Sequence, residues 1–277
     1  MRVGLVQLSS SDNPAENLPV TVGFVEQAAS SGARLVVTPE VTNCVSLSRK
    51  TQMDVLREEP EDPTLLGLKE AARKSSVWIL IGSLALKSSD GDGRFVNRSY
   101  MIDPSGQVRA CYDKIHMFDV SLSETETYRE SDGYQPGKRS VITSVDDIKF
   151  GLTICYDLRF PQLYRDLAQA GAKVLTVPSA FSVDTGFAHW ETLLRARAIE
   201  TGSYVLAPAQ CGEHAAHTKR KRKTFGHTLA VGPWGEVLVD GGDMPGVFMV
   251  DLDLSAVDDV RRRLPSLSHD VKYERPE

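Results

Sequence analysis

The stretch KFGLTICYDLRFPQLYRDLAQAGAKVLTVPSAF (Lys149–Phe181) begins apolar and β-like, breaks at Cys155-Tyr156-Asp157, and then turns helical. The pattern predicts a strand over Lys149–Asp157, a helix over Pro161–Gly171 and a second strand over Lys173–Pro178. Strand, helix and strand in that order form the unit of a parallel sheet covered by helices. Cys155 falls where the first strand ends. Open α/β sheets place ligands at the carboxyl ends of strands. The start of a helix can lower a thiol pKa and hold an oxyanion. Against this stands the ordinary role of a free cysteine, a small buried hydrophobe. A nucleophilic thiol also needs a base and an electrophile.

The same alternation runs outward in both directions. Strands are predicted at Arg2–Leu8, Ala33–Glu40, Val77–Leu86 and Ser203–Ala209, and helices at Glu16–Ser31, Thr64–Lys74, Ala188–Gly202 and Ser255–Arg263. Two hairpins turn at Asp103-Pro104-Ser105-Gly106 and Gly232-Pro233-Trp234-Gly235. VFMVDLDL reads as a last strand. Ile115–Gly137 reads as one long loop, a feature that often carries function. No internal repeat or Gly/Ser linker interrupts the pattern. Residues 1–277 therefore read as a single α/β domain of mixed sheets covered by helices.

Composition removes several classes of function. The net charge is −5, so nothing draws the whole chain towards nucleic acid or an anionic membrane. No apolar run is long enough to span a bilayer, and MRVGLVQLSS reads as a first strand, not a signal peptide. The four cysteines, Cys44, Cys111, Cys155 and Cys211, show no metal-type spacing and no disulfide framework, which points to a reducing, cytoplasmic setting. The basic run Lys219–Lys223 reads either as a solvated loop or as a lid over an anionic substrate.

Two further charged residues share the position of Cys155. Glu40 ends the buried strand RLVVTPE, where a carboxylate without a partner is costly. Lys114 ends the hairpin strand in ACYDKIHMF. Each taken singly reads as a surface charge just past a strand. Together, a Glu, a Lys and a Cys at strand ends would supply a base, a cation for an oxyanion and a nucleophile. None of the six histidines lies in a recognisable Cys/His protease pattern.

With TPE around Glu40, YDKIHMFD around Lys114 and GLTICYDLRFP around Cys155, the chain resembles the carbon–nitrogen hydrolase (nitrilase) superfamily, from VGLVQLSS to VFMVDLDL. CYDLRFPQL, AQAGAKVLTVPSAF, AHWETLLRARAIETGSYVLAPAQCG and FGHTLAVGPWGEVL resemble the deaminated glutathione amidase branch, with the ω-amidases, which act on 2-oxoglutaramate, as its nearest competitor. TPEVTNC and GHT depart from the commoner family wording. The resemblance implies a four-layer αββα sandwich that assembles as a homodimer or homotetramer. It implies a Glu-Lys-Cys triad of Glu40, Lys114 and Cys155 that cleaves a small-molecule amide through a thioester, with no metal or organic cofactor. Lys114 and the backbone N–H of Tyr156 would hold the oxyanion, and Glu130 would orient Lys114 or assist the base. Arg159 would bind a substrate carboxylate, unless it pairs structurally with Asp157 or Asp166. Phe181, His189 and Trp190 are pocket candidates by family position. The competing class is a non-catalytic scaffold or binding protein that kept the fold, against which all three triad residues argue.

Overall fold

The computed structural model describes residues 1–89, 92–121, 127–217 and 221–274. The first half of the chain runs β1 (Arg2–Gln7), α1 (Pro14–Ser30), β2 (Leu35–Val37), α2 (Arg49–Val55), α3 (Pro63–Ser75), β3 (Trp78–Lys87), β4 (Phe95–Ile102) and β5 (Val108–Asp113). Two short strands follow, β6 (Asp119–Ser121) and β7 (Thr127–Arg129), then β8 (Val141–Val145), β9 (Ile148–Leu152), α4 (Pro161–Gln169), β10 (Val174–Thr176) and α5 (Val183–Thr201). The chain continues through β11 (Tyr204–Ala207), β12 (Cys211–Glu213), β13 (Lys223–Phe225), β14 (Leu229–Val231), β15 (Val237–Asp240), β16 (Gly246–Asp251) and α6 (Leu254–Arg263).

Two six-stranded sheets result, in the orders β16-β1-β2-β3-β4-β5 and β15-β14-β11-β10-β9-β8. Each has a parallel centre of three strands flanked by antiparallel ones. Side-chain alternation explains the layering. Val3, Leu5, Leu35, Val37 and Leu80 face the core shared with the second sheet. Val6, Val36, Ile79 and Ile81 face the other way, into a separate cluster with Val25 and Ala28 of α1 and Leu65 and Leu68 of α3. Central strands buried on both faces read as continuous apolar runs, as they do here. On the far side of the second sheet, Leu163, Tyr164 and Leu167 of α4 and Trp190, Leu194 and Ala198 of α5 complete the core. The architecture is the expected αββα sandwich.

Several boundaries differ from expectation. The strand predicted over Lys149–Asp157 ends at Leu152, because the chain turns at Cys155 (φ 49°) into a 3-10 turn over Cys155–Arg159. The helix predicted from Ala188 begins at Val183. The predicted loop Ile115–Gly137 contains the β6–β7 pair and a 3-10 turn at Glu130–Asp132. Its residues 122–126, and Lys219 and Arg220 of the basic run, lie outside the described residues. All four cysteines are free thiols. Among the described residues no helix is long and apolar enough to cross a membrane.

Candidate active site

The ends of the parallel strands of both sheets meet at one place. Leu8, beyond β1, bridges to Gln210 beyond β11, and the Gln210 side chain donates to the Glu40 carbonyl at 3.1 Å. Beyond β2 the chain runs through Thr38 and Pro39 to Glu40, which is only 4% exposed. Gly82 of β3 admits this close turn: a Cβ there would lie 2.0 Å from the Thr38 carbonyl oxygen and 2.5 Å from both the Pro39 oxygen and Pro178. Lys114 follows β5 directly, is 2% exposed, and its backbone N–H donates to the Asn97 carbonyl at 3.0 Å. Cys155, 7% exposed, follows β9, and its N–H donates to the Pro178 carbonyl at 3.0 Å. A left-handed φ on a non-glycine residue is strained by about 1–3 kcal/mol and persists only where surrounding contacts enforce it.

The charged groups form one connected array. Lys114 Nζ donates to Glu40 Oε1 at 2.9 Å and to Glu130 Oε1 and Oε2 at 2.9 and 2.8 Å. Asn97 Nδ2 donates to Glu40 Oε1 at 2.9 Å, and the Ala180 N–H to Glu40 Oε2 at 2.8 Å. Glu130 Oε2 also accepts from the Phe118 N–H at 2.6 Å. Burial alone would push the Glu40 carboxyl up, but Lys114 and Arg222 overcome it and hold the group below its ordinary range. Burial would likewise discharge Lys114, yet Glu130 and Glu40 raise it well above the usual lysine value. The Cys155 thiol is pushed up, first by burial and then by Glu40, with Lys114 opposing. The thiol lowering expected from a helix start does not arise, because Cys155 opens a short 3-10 turn and α4 begins only at Pro161. The resting site is thus a thiol beside a carboxylate, not a thiolate.

These groups open into a cavity of about 410 Å³. Tyr156 and Phe181 line it, as do Tyr134, Arg49 and Arg222. Arg159 lies outside the lining. Its Nη2 sits 3.2 Å from His189 Nδ1, and its guanidinium flanks the Tyr156 and Phe181 rings at 5.8 and 5.7 Å. Neither acidic partner considered for Arg159 engages it. Asp157 accepts from Tyr112, His116 and the Ile154 N–H, and Asp166 accepts from Gln162. His189 is exposed on α5 and outside the cavity lining. Trp190 is buried behind Phe181, ring centroids 4.9 Å apart, with its Nε1 donating to the His227 carbonyl at 2.8 Å. Of the four candidate pocket residues only Phe181 lines the cavity. Asn97 and Tyr134 are among the wall residues that the sequence did not single out, and Arg222 is the member of the basic run that reaches the wall.

Residues 2–262 match the family described as carbon-nitrogen hydrolase. The chain belongs to the carbon–nitrogen hydrolase family. It is an enzyme class that hydrolyses amide-type carbon–nitrogen bonds. The chain is 39% identical over 269 residues to a protein of Yersinia enterocolitica named deaminated glutathione amidase, covering 96% of this chain and 92% of that one. A human protein of the same name is 36% identical, covering 96% of this chain and 81% of that one. Among solved structures, the Caenorhabditis elegans NitFhit protein superposes with a TM-score of 0.89 at 34% identity. It matches 97% of this hydrolase, which spans 64% of the NitFhit chain. Saccharomyces cerevisiae Nit3, a nitrilase superfamily member, gives a TM-score of 0.83 at 27% identity, covering 96% of this chain and 94% of that one.

Proposed function

We propose that this carbon–nitrogen hydrolase is a thiol-dependent amidase whose substrate is deaminated glutathione, cleaved to 2-oxoglutarate and cysteinylglycine. The observation that carries the chemistry is the buried Glu40–Lys114 contact at 2.9 Å opening on the same cavity as Cys155. Glu40 takes the Cys155 proton as sulfur attacks the amide carbon. The oxyanion that forms is held by Lys114, which yields one of its two bonds to Glu130, and by the Tyr156 backbone N–H. Collapse of the intermediate breaks the C–N bond, and Glu40 passes its proton to the leaving nitrogen. A thioester remains on Cys155. Glu40 then deprotonates water, which attacks the thioester carbon. Glu40 hands the proton taken from water to the departing sulfur, so the acid leaves and the thiol is restored; the original thiol proton has gone with the amine, water has replaced it, and no redox partner is needed. Glu130 positions Lys114 throughout.

The substrate assignment draws on the relatives' names and on a lining that carries guanidinium groups suited to an acidic amide. We read residues 1–277 as one catalytic domain that works in the cytoplasm as a homodimer or homotetramer. Phe187, Ile199, Trp234 and Leu238 are large apolar side chains left exposed for such contacts. The test is release of 2-oxoglutarate from deaminated glutathione against 2-oxoglutaramate, with intact-mass analysis of Glu40→Gln and Cys155→Ala. The wild-type enzyme should favour deaminated glutathione, and neither variant should turn over. A higher kcat/KM on 2-oxoglutaramate would make it an ω-amidase instead.

A further inference from the structure

We infer that Arg222 binds a carboxylate on the leaving-amine half of the substrate and so selects amides with acidic leaving groups; this rests on the amidase reading above. The basic run does not act as a block. Lys221 and Lys223 both turn to Glu213, at 2.9 and 3.5 Å. Arg222 lies between them, its carbonyl accepting from the His214 N–H at 2.9 Å so that the β12–β13 pairing continues past Lys223. Alternation along that extended segment sends its side chain the other way. There Nη2 donates to the Ala180 carbonyl at 2.7 Å, and the guanidinium lines the cavity that holds Cys155. Among the described residues, the hydrogen bond it makes is to this backbone carbonyl, not to a carboxylate.

Ala180 decides the side on which this cation acts. Its N–H donates to Glu40 Oε2 at 2.8 Å and its carbonyl accepts from Arg222. One residue therefore fixes the base and the guanidinium on the same wall. The leaving nitrogen must come within reach of Glu40 to take its proton, whereas the acyl half stays attached to Cys155. A carboxylate carried beyond that nitrogen falls towards Arg222. The planar fork, which among the described residues gives one N–H group to Ala180, suits a two-point carboxylate contact. The other lining guanidiniums are placed differently. Arg49 donates to the Gly133 and Gly93 carbonyls and covers the Phe95 ring, and Arg129 sits on the exposed rim. The charge of Arg222 also helps Lys114 keep Glu40 ionised against its burial.

The test uses Arg222→Gln and Arg222→Lys with three amides: deaminated glutathione, the same molecule with its glycine carboxylate converted to a primary amide, and 2-oxoglutaramate. At neutral pH, Arg222→Gln should lose about 10- to 100-fold more in kcat/KM on the first than on the other two, mostly through KM; any loss through Glu40 falls equally on all three. Arg222→Lys should fall between. Calorimetry with the products gives an independent reading: Arg222→Gln should weaken cysteinylglycine binding by a similar factor and leave 2-oxoglutarate unchanged. Equal losses on all three amides, no loss on any, or weakening of 2-oxoglutarate instead would overturn the inference. If the wild-type enzyme fails to cleave deaminated glutathione, the substrate reading falls, and the product titrations still decide the role of Arg222.

Discussion

Asp157 Oδ1 accepts from both the backbone N–H and the Nδ1 of His116, at 3.0 and 2.7 Å. Its other oxygen accepts from the Tyr112 hydroxyl at 2.6 Å and the Ile154 N–H at 2.9 Å. His116 lies two residues past Lys114, and Ile154 immediately precedes Cys155. A single buried carboxylate therefore ties the lysine segment of the first sheet to the cysteine turn of the second. Its role is to position both, since it does not line the cavity.

Asp157→Asn should expose this function. An amide in place of Oδ2 sets one donor against the Ile154 N–H, and in place of Oδ1 it opposes two donors from His116. We expect a loss of about 2–3 kcal/mol in urea unfolding. We expect kcat to fall by up to about 10²-fold with KM little changed, because the reacting groups are displaced while the cavity walls remain. An unchanged unfolding midpoint together with wild-type kcat would show that the two segments hold themselves.

The protonation states give a second expectation. Glu40 is held below its ordinary 4.5 by Lys114 and Arg222 against its burial, and burial with Glu40 raises Cys155 above its ordinary 9.0. In the proposed mechanism the active form, carboxylate plus thiol, is lost only when Glu40 protonates below that carboxylate value or the thiol ionises above that thiol value. kcat/KM should therefore be flat between about pH 5 and pH 9. Alkylation of Cys155 by iodoacetamide should show no inflection in the same range, and Glu40→Gln should slow it. An inflection near pH 7 would indicate a preformed thiolate and remove the need for Glu40 as base.

The order of the longer strands and helices, and the placement of Glu40, Lys114 and Cys155 at or near strand ends, could be read from apolar periodicity and its interruptions, whereas α2, β8, β12 and β13 were not foreseen. Other parts of the site could not be read in this way. Asn97 is one of three consecutive polar residues in β4, with Arg98 and Ser99, and its aim at Glu40 depends on the β3–β4 register, which shifts between Ile81 and Leu84. Arg222 is hidden among like charges until strand pairing separates it from Lys221 and Lys223. Helix α2 buries only Gln52, so it has no apolar stripe to betray it. Trp190 looks like a pocket residue by type and position, yet it supports Phe181 from behind.

His214 predicts a loss of stability in mild acid. It is fully buried, its Nδ1 donating to the Ser10 carbonyl at 2.8 Å and its Nε2 accepting from the Thr224 hydroxyl at 2.7 Å. Burial lowers its pKa from 6.5 to about 4. Between these values the unfolded chain binds a proton that the folded chain refuses. Stability therefore falls as pH drops through this window, by about 3 kcal/mol in all, and no further below it. His214→Gln should remove that part of the slope in urea midpoints measured from pH 7 to 4.5. A variant that keeps the wild-type slope would assign the acid sensitivity to other groups.

Gly82 offers the sharpest structural test of how the strand ends are joined. Any Cβ at this position meets the Thr38 and Pro39 carbonyl oxygens and Pro178 at 2.0–2.5 Å, and two of these are rigid backbone atoms. Thr38 and Pro39 lead into Glu40, and the Pro178 carbonyl accepts the Cys155 N–H. Gly82→Ala must therefore displace Glu40 and Cys155 relative to each other. We expect destabilisation of about 1–3 kcal/mol from overpacking and a fall in kcat of about 10²-fold. Gly23→Ala is the control: it lies inside α1 with nothing within 4 Å of its added methyl group, and should stabilise by about 1 kcal/mol at unchanged kcat. Thermal unfolding and steady-state rates on both variants decide the matter. If Gly82→Ala keeps full activity, the two segments can separate without consequence, and close packing at Gly82 does not set the distance between Glu40 and Cys155.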